Sequence, residues 1–478
     1  MTTINDSSIP LCVDLDGTLT KSDLLFESII YLLKKNLFFI FIIPFWLFKG
    51  KYFTKFKLLE YVIINVKSLP FNQEILNYIM LEKSKGRKIV LVTATAKPLA
   101  DLVAEYLKIF DDVISSCSNI NLLGIEKAEM LNKIFGAKQF DYIGDSVKDV
   151  PVWFSARKSY LVDINNKLFS KLKSQVTFDK VFNSEQNSWS VFISQIRIHQ
   201  WTKNLIIFIP MILAHTLELD GIYQTIFGFF ALCMVASTIY LINDLADIES
   251  DRNHSSKKNR PIASGKLKIS SAFKLIPILI VFGFGLAFFT SSIDFMFLLG
   301  IYFLTSLAYS FYLKKLYLID IIILSFLYTL RLLAGGVISE TTISPWLFSF
   351  SLFIFLSLGA LKRYTELKGL DPKKINKTRG RDYFIEDIPL ILTLGISSGI
   401  MSTLILALYI NNPAVVELYI KPELLFLIIP VLFHWILRLW FIAHRGNMND
   451  DPIIFAIKDK SSYISLLIII VIGIGATL

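Results

Sequence analysis

The chain has 478 residues, of which 54% are hydrophobic, 14% aromatic and only 18% charged, and its mean hydropathy is +0.56. Soluble domains carry about 25% charge, so this composition excludes a wholly soluble enzyme, a disordered chain and a disulfide scaffold. The net charge of +10 reads as basic loops facing anionic lipid, not as a nucleic-acid surface. Cys12, Cys117 and Cys233 show no CxxC spacing, which argues against a zinc ribbon or a redox dithiol and leaves them as small apolar fillers.

Up to about residue 170 the chain alternates polar and apolar segments, and from about 203 long apolar runs dominate. The opening MTTINDSSIPLCVDLDG lacks a basic start and a long apolar stretch. It is therefore not expected to be a signal peptide, and the first half is expected to begin in the cytosol. The run LCVDLDGTLT reads as a buried strand that delivers Asp14 and Asp16 into a glycine-containing turn. Next, RKIVLVTAT is a strand ending in Thr93 and Thr95, and GIEKAEML puts Lys127 at the start of a helical pattern. Then FDYIGDSVKDV is a strand ending in Asp145, with Asp149 four residues on. Each piece alone is a common strand end or helix start; together and in order they describe phosphoryl chemistry. A carboxylate at Asp14 can attack phosphorus, and Asp16 can protonate the leaving oxygen and then activate water. Mg²⁺ on Asp14 and Asp145, with Asp16 and Asp149 as further candidate ligands, offsets the charge of the reacting oxygens. Thr93 and Lys127 are placed to hold the phosphoryl oxygens.

This quartet resembles the haloacid dehalogenase (HAD) superfamily of phosphatases over roughly residues 9–165, with all four motifs present. The resemblance implies an α/β Rossmann-like sheet with a helical cap inserted after the first motif, here about 22–85, in a domain of residues 1–170. A docking module that had lost its chemistry would lack Asp14 or Asp16, and both are present. Within the cap, LFFIFIIPFWLFKGKYF (37–53) is too short to span a bilayer and is interrupted by Pro44. Two readings are open: a buried cap helix, or an interfacial helix rimmed by Lys34, Lys35, Lys49 and Lys51. Residues 171–202 read as a linker that contains an amphipathic helix, NSWSVFISQIRIHQW.

From 203 to 478 the apolar runs suggest an all-α membrane domain with about nine spans, near 204–219, 222–242, 272–290, 294–312, 318–338, 345–361, 387–410, 422–442 and 462–478. The segment 243–271 holds six Lys and Arg, 362–386 holds eight, 313–317 has Lys314 and Lys315, and 443–461 has Arg445, Lys458 and Lys460. The intervening loops together hold only Lys421. That alternation predicts a multi-pass protein of a bacterial inner (plasma) membrane with the N-terminal domain and every basic loop inside.

After 222–242, Asn243, Asp247 and Asp251 recur every four residues with Asp244 beside them, and RPIASG follows from Arg260. On a helix, residues four apart share a face. Such a cluster at a membrane edge suits Mg²⁺ bound to a diphosphate, with Arg260 as a phosphate contact. NDxxDxxxD followed by RPIASG resembles the UbiA superfamily of intramembrane transferases, over about 195–478. Most of that superfamily carry a second Asp-rich motif. Here the corresponding stretch has only Asp320, with Lys314, Lys315 and Arg331 around it. With HQWTKN (199–204), LKRYTEL (361–367) and HRGNMNDDPIIFAIKD (444–459), the pattern is similar to the polyprenyl-phosphate phosphoribosyltransferase branch, of the decaprenyl-phosphate type.

That resemblance implies phosphoribosyl diphosphate as donor and a polyprenyl phosphate as acceptor. Their anionic groups call for basic side chains beside the metal ligands: Lys203, Lys314, Lys315, Arg331, Lys362, Arg363 and Arg445. Tyr364 and Glu366 are candidates for ribose hydroxyls, and Asp320 completes the set. Loop lysines also follow from membrane orientation alone; Arg331, inside 318–338, does not, because buried intramembrane charge is costly and usually functional. The expected products are polyprenyl-phosphoryl-ribose 5-phosphate and diphosphate, and the fused HAD domain is expected to remove the 5-phosphate. The alternative is transfer of a prenyl group from a prenyl diphosphate to an aromatic or other acceptor, with a separate phosphatase or docking domain at the N-terminus. Mg²⁺ is expected in both halves, membrane lipids are expected partners, nucleic acid is not, and the oligomeric state is not legible.

Overall fold

Short apolar runs separated by helical patterns form one parallel sheet: β1 (Leu11–Val13), β2 (Ile89–Ala96), β3 (Asp112–Ser116), β4 (Asp141–Gly144), β5 (Ser159–Val162) and β6 (Lys180–Phe182), in the order β3-β2-β1-β4-β5-β6. The computed structural model describes residues 8–117, 120–162, 172–182, 188–370, 377–378, 381–448 and 451–478. Successive side chains on a strand point to opposite faces. Leu11, Val13, Leu91, Ile143 and Val162 therefore join one core, and Cys12, Val90, Val92, Tyr142 and Leu161 the other. A sheet buried on both faces needs such continuous apolar strands.

Helices among the described residues that accompany the sheet include α1 (Leu24–Lys35), α2 (Phe39–Phe48), α3 (Lys51–Leu59), α4 (Gln73–Ser84), α5 (Lys97–Leu107), α6 (Ile125–Phe135) and α7 (Val150–Ser155). Asp23 caps α1, its carboxylate accepting from the Leu25 amide at 2.9 Å. Within the insertion between β1 and β2, α4 turns Ile75, Leu76 and Ile79 into the sheet core. In α2 only Ile43 is buried, while Phe41, Phe45 and Phe48 are 68, 70 and 90% exposed. The buried-helix reading of this segment is thereby set aside. β6 lies inside the stretch expected to be linker and pairs with β5 as a sixth strand. The expected boundary near 170 falls outside the described residues. The amphipathic helix is present as Ser188–Ile196, with Trp189 and Ile193 exposed and Ile196 buried.

The chain divides into two compact units, residues 1–196 with 241–275, and residues 197–240 with 276–478. The Asp-rich segment thus packs within the first unit. Arg252 donates to both carboxylate oxygens of Glu27 in α1, at 2.6 and 3.2 Å, and Glu27 is fully buried. Asn65 donates to Glu249 at 2.7 Å, and the rings of Phe26 and Phe273 lie 6.0 Å apart.

Among the described residues, eight helices are long and apolar enough to cross a membrane: Leu219–Ala246, Ile269–Phe288, Ile293–Phe311, Ile319–Ile338, Pro345–Lys368, Ile385–Ile410, Pro422–His444 and Lys460–Thr477. The chain is a multi-pass integral membrane protein. The remaining expected span, 204–219, is not one long α-helix. It is a 3₁₀ helix, Ile198–Phe208, continued by a short α-helix, Ile209–Leu213. Tertiary contacts hold it in that form. Lys203, Asn204 and Ile207 are buried, and the Ile207 backbone runs so close to Gly335 that a Cβ there would collide with it.

At the amino-terminal edge of the sheet, Arg87 meets Glu82 at 2.9 Å and also Asp141, while Arg157 reaches Asp141 at 2.7 Å. Asp141 has no exposed surface. Removing one partner of a buried ion pair costs about 3–5 kcal/mol. Asp141→Ala is expected to lower the unfolding free energy of the first unit by about that amount. Amide hydrogen exchange of β1, β2 and β4 in the full chain checks it, because those amides should lose protection together.

Candidate active site

The strand order reverses at β1, which has β2 on one side and β4 on the other. In open α/β sheets a crevice opens at such a point, outside the carboxyl ends of the strands. Asp14 follows β1 directly and Asp145 follows β4 directly. Gly17 turns the chain between them with φ +84°, and a side chain there would strike the Asp145 carboxylate. Oxygens of Asp14, Asp145 and Asp149 all lie within 4.8 Å of one another, a set that can hold a divalent cation.

Lys127, near the start of α6, is buried beneath this cluster. Its ammonium donates to Asp14 Oδ1 and Tyr142 Oη at 2.9 Å each and lies 3.4 Å from Asp149 Oδ1. The Tyr142 hydroxyl donates to Asp149 at 2.8 Å, and Ser146 gives Asp149 both its amide and its hydroxyl. Thr93 is fully buried on β2, and its oxygen accepts the Thr95 amide at 3.0 Å. Asp16 stands apart from the three carboxylates. Its oxygens take the Leu24 amide at 2.8 Å and the Thr95 hydroxyl at 2.5 Å, at the foot of α1. Tyr142 and Ser146 were missed in the sequence, and Thr95 was named there only as a strand-end hydroxyl. Tyr142 sits in an apolar strand and reads as core, and only its hydroxyl reaches the site.

Burial raises the Asp14 carboxyl above the usual range, with Asp149 and Asp145 adding to the rise and Lys127 opposing it. Burial pushes Asp145 up to about 7 against the pull of Lys268. Burial opposes the charge on Lys127, but Asp14 and Asp149 outweigh it and hold that ammonium above the usual lysine range.

The Asp-rich segment forms a second acidic cluster in the same unit. The helix Leu219–Ala246 ends just before Asp247, and Ile248–Arg252 follows. Backbone bonds from Asp247 to Asn243 and from Asp251 to Asp247 preserve the four-residue repeat across the break. Arg260 bridges Asp244 and Asp251, at 3.0 and 2.6 Å, and Gln195 donates to Asp244 at 2.9 Å. Asp244 and Asp251 are buried, whereas Asn243 and Asp247 are half-buried. Burial raises the Asp251 carboxyl, with Arg260 opposing.

In the second unit, Asp320 is fully buried. Arg363 Nε lies 2.7 Å from it, an ion pair by distance without hydrogen-bond geometry. Arg381 lies at 3.6 Å, and the Tyr383 hydroxyl donates at 2.7 Å. Glu366 pairs with Arg363 and, at 3.3 Å, with Arg381. Lys203 and Lys362 share Asp451, at 2.6 and 3.8 Å. Burial would raise the Asp451 carboxyl, but the two lysines hold it down at about 2. Arg331 donates to Asn204 and to Tyr302, each at 2.8 Å, and to the Leu327 carbonyl at 2.6 Å. All three of these hydrogen-bond partners are neutral, and the rings of Tyr302 and Tyr328 lie 4.9 Å from its guanidinium. Tyr364 is buried against Trp440, with its hydroxyl 2.9 Å from His444. Lys315 and Arg445 are exposed and Lys314 is half-buried. Asp451, Arg381 and Tyr383 were not singled out in the sequence. The Asp-Pro step at 451–452 is a helix-start signal, and Asp451 does cap the helix Pro452–Lys458.

The model of the UbiA prenyltransferase family matches residues 205–457, more than half of the chain. The chain belongs to the UbiA prenyltransferase family. Over 473 residues it is 35% identical to the uncharacterized protein y4nM of Sinorhizobium fredii, covering 96% of this chain and 89% of that one. To the decaprenyl-phosphate phosphoribosyltransferase of Corynebacterium glutamicum it is 34% identical over 182 residues, which are 37% of this chain and 54% of that protein. A solved digeranylgeranylglyceryl phosphate synthase is 21% identical with a TM-score of 0.46, covering 61% of this chain and 99% of that one. A solved phosphoserine phosphatase is 14% identical with a TM-score of 0.27, covering 37% of this chain and 93% of that one. The family domain points to an enzyme.

The raised carboxyls of the first site carry a pH signature. Without a divalent cation, the folded unit keeps protons that the unfolded chain has released. Its stability therefore falls as pH rises from the ordinary carboxylate value of 3.8 through about 7. Cation binding must displace those protons, so affinity rises over the same window. Thermal-shift titration of the full chain with Mg²⁺ is expected to need roughly tenfold less cation at about pH 8 than at about pH 5.5.

Proposed function

We propose that the chain transfers 5-phosphoribosyl from phosphoribosyl diphosphate to a polyprenyl phosphate, and that its phosphatase-like site then removes the 5-phosphate from the lipid-linked sugar. The state of Asp320 carries the first part. Where most of the superfamily place a second Asp-rich motif, this chain has one carboxylate already committed to Arg363, Arg381 and Tyr383. Metal ligation by such a residue would require breaking buried ion pairs. Elsewhere in the same unit stand Arg331, whose hydrogen-bond partners are neutral, and the pair Lys203 and Lys362, which share the one carboxylate of Asp451; such an excess of basic groups suits a phosphorylated donor and a lipid phosphate.

Bond making is simple on this reading. The C1–O bond to diphosphate breaks, an oxygen of the polyprenyl phosphate bonds to C1, and diphosphate leaves. The acceptor is already ionised and needs no general base. At the second step Asp14 attacks the 5-phosphate, Asp16 protonates the departing sugar oxygen, and water activated by Asp16 releases inorganic phosphate. Lys127 neutralises Asp14 beforehand and meets the phosphoryl charge as it moves. A divalent cation such as Mg²⁺, held by Asp14 and Asp145 in one site and by Asn243, Asp244, Asp247 and Asp251 in the other, supplies positive charge to the phosphate oxygens. Tethering both sites on one chain gives the second step a local substrate concentration of roughly millimolar.

The alternation of basic and non-basic loops supports an inner-membrane protein with its N-terminal domain in the cytoplasm. The segment 198–213 keeps that parity. Eleven residues of 3₁₀ and five of α-helix reach roughly 30 Å, the thickness of a bilayer core.

Membranes supplied with polyprenyl phosphate and labelled phosphoribosyl diphosphate test the transfer. Label is expected in lipid, and Asp247→Asn is expected to reduce it about 100-fold or more. Label that stays out of lipid, with transfer from a prenyl diphosphate instead, would establish the prenyltransferase alternative. On the labelled lipid, Asp14→Asn is expected to abolish phosphate release; release at the wild-type rate would end the phosphatase reading.

The exposed α2 suits a phosphatase whose substrate is held in lipid. Its aromatic face, rimmed by Lys34, Lys35, Lys49 and Lys51, is proposed to lie in the headgroup region. A fluorophore on Phe45→Cys, in a Cys117→Ser background in nanodiscs, is expected to be quenched by lipid-borne doxyl groups. A spectrum typical of water, insensitive to those lipids, would sink the idea.

A further inference from the structure

We propose that the loop following the Asp-rich segment supplies Lys268 to the phosphatase-like site, where its ammonium recognises a second anionic group on a phosphomonoester substrate. This rests on the phosphatase reading above and narrows its substrate class. Lys268 Nζ lies 3.5 Å from Asp145 Oδ2, at the edge of the carboxylate cluster. It comes from sequence beyond RPIASG, far from the sheet, yet it belongs to the same compact unit.

The root of this lysine is held firmly. Arg252 anchors the segment through its buried pair with Glu27, and its Nε donates to the Ala263 carbonyl at 3.1 Å. Gly265 turns the chain at φ +75°, and a side chain there would collide with Lys21 and touch Pro70. The Leu267 amide bonds to the Pro261 carbonyl at 2.9 Å and closes the turn just before Lys268. The head reaches solvent, with 59% of the Lys268 side chain exposed. A fixed root with a solvent-accessible cationic head is what a substrate-contacting lysine needs.

The division of charge assigns the role. Lys127 is buried, with Asp14, Tyr142 and Asp149 as partners, and is placed for the phosphoryl group that is transferred. A divalent cation among Asp14, Asp145 and Asp149 would repel a second ammonium from Asp145. Lys268 would then be released at the mouth of the site, with its charge available to another anion. A substrate with a single phosphate gives it nothing to bind. A sugar phosphate that carries a second phosphate, as a lipid-linked sugar phosphate does through its phosphodiester, gives it a partner.

The test uses the full chain in detergent with two soluble probes, ribose 1,5-bisphosphate and p-nitrophenyl phosphate. For Lys268→Ala, KM for the bisphosphate is expected to rise about tenfold with kcat within about twofold, so that the kcat/KM preference for bisphosphate falls about tenfold. Lys268→Arg keeps the charge and is expected to restore most of that preference. An equal fall on both probes would show that Lys268 only serves Asp145 or the loop, and no change on either would show that it contacts neither; both overturn the proposal while the phosphatase reading stands. A wild-type chain that hydrolyses neither probe nor the lipid-linked sugar phosphate would overturn both.

Discussion

Burying an ionised side chain costs several kcal/mol unless opposite charge or hydrogen bonds meet it, and both units are organised around that requirement. In the first unit, Asp14, Asp145 and Asp149 crowd around one buried ammonium. Asp141 takes two arginines at the other end of the sheet, and Glu27 takes Arg252. In the second unit, Asp320, Glu366 and Asp451 are each shared between two cations. These pairings hold sequence-distant segments in register. Where the match is incomplete, the chain is prepared for something else to complete it. Three clustered carboxylates facing the buried Lys127 and the exposed Lys268 leave room for a divalent cation, and Arg331, hydrogen-bonded only to neutral groups among the described residues, suits an anion.

Topology does the rest of the positioning. A parallel sheet whose strand order reverses at β1 brings the ends of β1 and β4 to one crevice, so Asp14 and Asp145 meet although more than a hundred residues separate them. Gly17 permits the closest approach in that crevice, and Gly335 does the same for the Ile207 backbone in the second unit. In both places a hydrogen in place of a side chain decides whether two segments can meet. The Asp-rich segment is placed by Arg260 from within and by Arg252 from outside, so its acidic groups have a defined arrangement in the absence of a cation.

Much of this was legible in the sequence because it depends on local pattern. The strand ends bearing Asp14, Thr93 and Asp145, the start of α6 at Lys127, eight of the nine expected spans and the four-residue repeat of Asn243, Asp247 and Asp251 all follow from short-range periodicity and turn chemistry. Local pattern misled where tertiary contacts took over. The run 204–219 is apolar enough for one long helix, but buried Lys203 and Asn204 and the close approach at Gly335 hold it as a 3₁₀ helix to Phe208 and a short α-helix to Leu213. The run 37–53 is apolar enough for a core, yet α2 fully buries only Ile43 and leaves Phe41, Phe45 and Phe48 exposed.

By itself the sequence determined the chemistry on offer: two sets of acidic ligands, a supply of basic side chains, a parallel α/β half and an intramembrane half. Those follow from residue type and spacing, which act over one turn or one strand. Only the tertiary structure decided which charges meet. Asp320 is locked by Arg363 and Arg381, Asp451 joins Lys203 to Lys362, Tyr142 reaches Asp149, and Lys268 arrives beside Asp145. A Coulomb contact depends on distance in space, and no periodicity along the chain records which distant residues will come within 4 Å of each other.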